Sequence, residues 1–125
     1  MGLVGSIPSE LSELRGLRGI NLIGNNIMGV IPTEIGLLDL QSFDVHANTD
    51  LNALNDLSGQ IPSELYSLTN LIHLDLGRSR LVGTIDKAIE KLTALKYLGL
   101  HHNLINGTLP IEIGKLENLG ELVST

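Results

Sequence analysis

The chain of 125 residues contains no cysteine. Disulfide staples and thiol chemistry are therefore excluded, and the redox compartment stays open. Aromatic residues are almost absent, with Phe43, Tyr66 and Tyr97 the whole set. A core must then come from aliphatic side chains. No apolar run reaches membrane-spanning length, so this segment is not expected to insert into a bilayer. The opening MGLVGSIPSE has neither a basic region nor an apolar signal core, and it does not read as a signal peptide. Positive charge is scarce, with 8 Lys and Arg against 14 Asp and Glu and a formal net charge of −6. That balance argues against a nucleic-acid backbone as partner.

What is present is repetition. Leu95, Leu98 and Leu100 lead to Asn103, Gly107 and Leu109-Pro110. The pattern returns 24 residues earlier, from Leu95 back to Leu71, as Leu71, Leu74, Leu76, Ser79, Gly83 and Ile85-Asp86. Leu17, Ile20 and Leu22 begin a third copy, which continues through Asn25, Gly29 and Ile31-Pro32. Gly5 and Ile7-Pro8 close a partial one. Apolar residues follow three, six and nine positions after Pro8, Pro62, Asp86 and Pro110, as at Leu65, Leu68 and Leu71 after Pro62, while the copy after Pro32 runs one residue short. Self-similarity at such a period signals stacked repeats. One copy is irregular. Leu40, Phe43 and Val45 lead to Asn48, but Gly59 to Pro62 then come seven residues late. The extra residues fall within Thr49 to Asp56, and Asn48 and Asn55 compete for the asparagine slot. The insertion should bulge from the stack as a loop near 49–56.

The LxxLxLxxN cores and the GxIP segments at Gly5, Gly29 and Gly59, with variants at Gly83 and Gly107, resemble the plant-type leucine-rich repeat family. The resemblance covers essentially the whole chain. It implies an α/β solenoid of about five repeats in one domain, residues 1–125, with a parallel concave sheet and short 3₁₀ or α turns on the convex side. It also implies a second short strand after each GxIP glycine. Secreted members often carry cysteine-paired caps, which this chain lacks. Met1 and Thr125 both fall in mid-repeat, so the chain reads as part of a longer array. By resemblance its place is extracellular or at the cell surface.

The frame assigns local roles. Each LxxLxL segment should be a short strand with alternate residues inward. Asn25, Asn103 and either Asn48 or Asn55 should hydrogen-bond backbone groups at the bend. Ser79 is shorter, so a weaker rung is expected there. The GxIP glycine suits a bend where a side chain would obstruct the stack. Pro8, Pro32, Pro62 and Pro110 suit the start of a helical turn. Asp86 stands in the same slot and should loosen its turn. Leu119, Leu122 and Val123 are the expected exposed apolar set at one end, and end-to-end self-association follows from such exposure.

The solvent-facing strand positions form lanes across the rungs. Arg18, Gln41, Ile72 and Lys96 make one lane; Gly19, Ser42, His73 and Tyr97 the next; Asn21, Asp44, Asp75 and Gly99 the central one. Ile23, His46, Gly77 and His101 follow, then Gly24, Ala47, Arg78 and His102. All four histidines share this face, which predicts binding that changes between about pH 5 and 7. Much of such a face is solvated polar surface by default. The candidate partner-binding set is Arg18, Asn21, Gln41, Asp44, His46, His73, Asp75, Arg78, Lys96, Tyr97, His101 and His102. A metal site from Asp44, His46, Asp75 and His101 is disfavoured, because two rungs separate the histidines by roughly 10 Å on ideal spacing. No cofactor is expected. No phosphate-cradling loop or serine–histidine–acid motif occurs, so catalysis is not expected. The function read from the chain is a non-catalytic protein- or peptide-binding module. The alternatives are a structural segment of a longer array, or an ice-binding surface along the lane Ser6, Val30, Gln60, Thr84 and Thr108. Asn106-Gly107-Thr108 is the one glycosylation sequon, and asparagine–glycine is also ordinary turn chemistry.

Overall fold

The computed structural model describes residues 2–46 and 56–125. The rivalry of Asn48 and Asn55, and the extra residues Thr49 to Asn55, lie outside the described residues. The described residues form nine short strands and five 3₁₀ turns. The strands are β1 (Val4–Ser6), β2 (Gly19–Asn21), β3 (Asn26–Val30), β4 (Ser42–Asp44), β5 (Asp56–Gln60), β6 (His73–Asp75), β7 (Arg80–Val82), β8 (Tyr97–Gly99) and β9 (Glu121–Val123). The turns are Ser9–Glu13, Thr33–Leu37, Ser63–Ser67, Lys87–Lys91 and Ile111–Lys115.

The LxxLxL segments build a five-stranded parallel sheet in the order β2-β4-β6-β8-β9, the concave side. The residues leading into the GxIP glycines, rather than those after them as expected, build a second, four-stranded sheet, β1-β3-β5-β7. Between the sheets and the turns lies an aliphatic core. Leu40, Phe43, Val45, Leu57, Leu65, Leu71, Leu76, Leu81, Leu92 and Leu95 are completely buried. Fully burying one such side chain contributes about 1.5–3 kcal/mol.

The connection from β4 to β5 runs from Asp44 to Asp56, whereas that from β6 to β7 runs only from Asp75 to Arg80. Both sheets pair without a break across it: β4 with β6, and β5 with both β3 and β7. Asp56, at the edge of the insertion, is the first residue of β5, and its carboxylate meets Arg80 Nε at 2.9 Å.

The repeat asparagines complete the bends. Asn103 donates from Nδ2 to the carbonyls of Leu76 and Leu100, and its Oδ1 accepts from Leu81 N–H. Asn25 likewise donates to Leu22 and Ile23 carbonyls and accepts from Leu3 N–H. Ser79 is buried in the equivalent slot, and its hydroxyl has no hydrogen-bond partner among the described residues. A serine is too short to span the bend as asparagine does.

Two further sequence expectations change. The GxIP glycine is needed for its backbone as well as for space: Gly29 sits at φ +86 with 3.5 Å of room for a Cβ, whereas a Cβ on Gly59, Gly83 or Gly107, also at positive φ, would come within 3.0–3.1 Å of a side chain on the preceding rung. Asp86 does not loosen its turn. Its Oδ1 accepts from Ala88 N–H at 2.7 Å, capping a donor that proline at the same position leaves open.

At the ends the core is less complete. The Ser9–Glu13 and Ile111–Lys115 turns bury no residue. Leu119, Leu122 and Val123 are only partly exposed. The exposed large apolar side chains toward that end are Leu104, Leu109 and Ile111 instead, which sit on the loop and convex turn rather than on the terminal strand.

Candidate ligand-binding face

The parallel register sets the lanes. Ser42 pairs with His73 and His73 with Tyr97; Asp44 pairs with Asp75 and Asp75 with Gly99. Strands in such a sheet lie about 4.8 Å apart, so side chains in one lane touch. His73 and Tyr97 stack with ring centroids 4.5 Å apart, nearly parallel.

The central lane follows one local rule. Asn21, Asp44 and Asp75 each end a strand, and each accepts through Oδ1 from the N–H two residues on: Ile23 at 3.1 Å, His46 at 3.3 Å and Gly77 at 2.9 Å. Side-chain-to-backbone bonds of this kind are what Asn and Asp offer where a ladder stops. The carboxylates are not simply solvated, as a polar face would suggest. Asp44 is 9% exposed and Asp75 4%. Rings cover them. His46 Nδ1 lies 2.9 Å from Asp44 Oδ1 and 3.3 Å from Asp75 Oδ2. His73 Nε2 lies 3.3 Å from Asp44 Oδ2. The Tyr97 hydroxyl donates to Asp75 Oδ2 at 3.1 Å.

Two glycines make this packing possible. A Cβ on Gly99 would fall 2.3 Å from Asp75 Oδ1, and one on Gly77 would fall 2.2 Å from His101 Cε1. Asp75 therefore leans over Gly99, and the His101 ring leans over Gly77. The leaning ring brings His101 to 6.3 Å from His46, centroid to centroid, nearer than two ideal rungs imply. His101 also meets His102 edge-on at 5.5 Å.

Electrostatics follow the geometry. Burial raises the Tyr97 hydroxyl to about 12; the Asp75 carboxylate adds by its charge and its hydrogen bond, and Glu121 and Asp44 add to that. Burial lowers His101 below the ordinary histidine value, against the pull of Asp75 and with help from His102, His46 and Arg78.

Of the candidate residues, the fold gathers Asp44, His46, His73, Asp75, Tyr97, His101 and His102. The others stand apart around them. Gln41 and Lys96 are exposed on the strand approaches. Arg18 pairs with Asp39 at 3.4 Å, both about half exposed, and Asn21 closes its own strand end. Arg78 and His102 occupy successive rungs at φ 52 and φ 53, a left-handed conformation that Gly24 adopts at the same repeat position. Sequence reasoning missed Gly77 and Gly99. Both stand in the lanes read from the repeat, but nothing in the sequence says which neighbouring side chain leans into the space they leave.

A sequence model described as Leucine Rich Repeat matches residues 94–116. Receptor-like protein 35 of Arabidopsis thaliana is 36% identical over 119 residues, which is 95% of this chain and 12% of that protein. Receptor-like protein 32 of the same plant is 34% identical over 119 residues, 95% of this chain and 13% of that protein. The chain belongs to the plant-type leucine-rich repeat family. It spans about an eighth of the length of these curated relatives. Among solved structures, this repeat stack is similar to PEPR1–AtPEP1, with a TM-score of 0.88 and 33% identity over 98% of this chain and 16% of the other. It is similar to the plant peptide hormone receptor RGFR1 in complex with RGF2, with a TM-score of 0.86 and 30% identity over 94% of this chain and 18% of that one. It is also similar to a plant ice-binding protein, with a TM-score of 0.81 and 31% identity over 98% of this chain and 38% of that one. No described helix of the repeat stack is long and apolar enough to cross a membrane.

Proposed function

We propose that this segment is a non-catalytic module that binds a peptide or protein on its concave sheet, at the cell surface or outside the cell. The observation that carries the reading is the pre-organised polar face over β4, β6 and β8. Its central side chains are fixed by hydrogen bonds before any partner arrives, so binding them costs little ordering entropy. Around this centre Gln41, Lys96 and Arg78 stand at the rim, with Arg18 paired to Asp39, and the His73–Tyr97 stack supplies a rigid aromatic anchor. The mixture of both charges with amide and imidazole groups suits a peptide better than a uniform polyanion. The similarity to receptors solved with peptide hormones supports the same assignment. The partly covered end rungs support end-to-end association at high concentration, which light scattering over a dilution series reads.

The test is a displayed peptide library selected on the purified chain. Enriched peptides are then titrated against Tyr97→Ala, Lys96→Ala and the convex control Glu64→Ala. Loss of about tenfold or more in affinity for the concave variants, with Glu64→Ala unchanged, is expected. Weakening by the convex change alone overturns the assignment.

A second reading rests on the similarity to the ice-binding protein. Ser6, Val30, Gln60, Thr84 and Thr108 are all exposed, forming one lane beside the second sheet. The lane mixes small, branched and long side chains, so it is the weaker fit. Inhibition of ice recrystallisation by this chain, lost on Val30→Lys, would establish it over the first.

A further inference from the structure

The buried carboxylates leave an electrostatic problem for the peptide-binding reading. Asp44 and Asp75 bring two acidic groups together on adjacent rungs, both nearly covered. Single donor atoms of Asp44, His46 and Asp75 all lie within 4.8 Å of one another. Two of those separations are known closely, 2.9 Å and 3.3 Å from His46 Nδ1 to the two carboxylates. A tetrahedral ion with bonds of about 2.0–2.2 Å holds its ligand atoms about 3.3–3.6 Å apart. The triad thus has nearly the spacing of a ligand set.

A second observation is independent of the first. His101 Nδ1 is sealed from solvent and has no hydrogen-bond partner among the described residues. Its nitrogen-bearing edge lies over Gly77, whose N–H is bonded to Asp75. A buried ring nitrogen left without a partner is a group that a ligand would satisfy. The two carboxylates are also held from outside the triad, Asp44 by His73 and Asp75 by Tyr97. Outer groups of this kind orient metal ligands.

We propose that Asp44, His46 and Asp75 form a divalent-metal site of the zinc class on the concave face, with the His101 ring, centred 6.3 Å from that of His46, turning inward to supply a fourth donor. On binding, the His46 ring carries its proton on Nε2 and turns the Nδ1 lone pair to the ion between the carboxylates. Two imidazoles and two carboxylates favour a borderline ion over calcium, which takes six to eight oxygens. The site lies within the proposed peptide-binding face, and metal and peptide binding are read by separate measurements.

The test uses the purified chain without an affinity tag. Zn²⁺, Co²⁺ and Ca²⁺ are titrated by calorimetry, with circular dichroism to confirm each variant is folded. One saturable Zn²⁺ per chain is expected, with Ca²⁺ far weaker and Co²⁺ giving the intense visible absorption of a tetrahedral centre. His46→Ala should weaken Zn²⁺ by about tenfold or more. His101→Ala, a less buried substitution, should weaken it in the same direction, and convex Glu64→Gln should leave it unchanged. Absence of saturable Zn²⁺ binding, equal affinity for Ca²⁺, or wild-type affinity in both folded histidine variants would overturn the site. Peptide selection on the metal-free chain reports on the binding face separately.

Discussion

The middle of the stack and its ends use the same residues for different results. Three positions after the Pro or Asp of each repeat stands one apolar residue. In the middle turns these are Ile35, Leu65 and Ile89, at 1%, 0% and 2% exposure. In the outer turns they are Leu11 and Ile113, only partly buried. The side chains are nearly equivalent; the neighbours are not. A rung acquires a dry core only when another rung covers each of its faces. Position in the stack, more than the repeat's own sequence, therefore sets what a side chain contributes.

The sharpest test pairs one substitution from each region. Phe43→Ala removes a ring with no exposed surface and is expected to cost about 3–5 kcal/mol. Leu122→Ala, partly buried in β9, should cost about 1 kcal/mol. Urea denaturation of both variants reads the difference, and equal losses would mean the ends are as well covered as the middle.

Next comes the bend. Asn103→Ala leaves the Leu81 N–H and the Leu76 carbonyl without their partner, and about 2–3 kcal/mol should be lost. Ser79→Ala, in the same slot one rung earlier, removes a hydroxyl that bonds nothing among the described residues and should be nearly neutral. A cost at Ser79 equal to that at Asn103 would contradict the description of the two bends.

A smaller effect of opposite sign is expected at Arg78. Its left-handed backbone disfavours any side chain, so Arg78→Gly should gain about 1 kcal/mol. The same change removes one cation from the rim of the binding face. Stability measured with affinity for a selected peptide would separate the two roles.

The smallest effect is a titration. Burial raises the Tyr66 hydroxyl above its ordinary 10.0, helped by the Asp86 charge and opposed by the hydrogen bond from Asp86 N–H. Below pH 10 folded and unfolded chains both keep that proton. Above it only the unfolded chain releases it, so stability falls as pH rises through the window. In Tyr97→Phe, where Tyr66 is the remaining tyrosine, ultraviolet titration should place phenolate formation above 10. Ionisation at the ordinary value would mean that the ring is hydrated.

The stack was legible in the sequence because its signal is repeated. Leucine spacing specified the concave strands, the lanes and the asparagine bends, and the family resemblance supplied the second sheet. The lanes also placed Asp44 beside Asp75 and every histidine on one face. What could not be read was the lateral lean of side chains across rungs. Ideal spacing kept His46 and His101 apart, and nothing local to either residue announces that Gly77 vacates the ground between them. The capping role of Asp86 was similarly misjudged, because the break from proline was more visible than the oxygen that replaces it.

Gly77 also bears on how such a surface changes over generations. Any glycine codon is one base from alanine, and those ending in a pyrimidine are also one base from serine and aspartate. Any of these would displace the His101 ring, yet none would touch Leu74 or Leu76, the inward-facing residues that hold the rung. A lineage can thus redraw the chemistry of this face by a single mutational step while the scaffold beneath keeps its shape. Recognition and architecture are inherited together here but can drift separately.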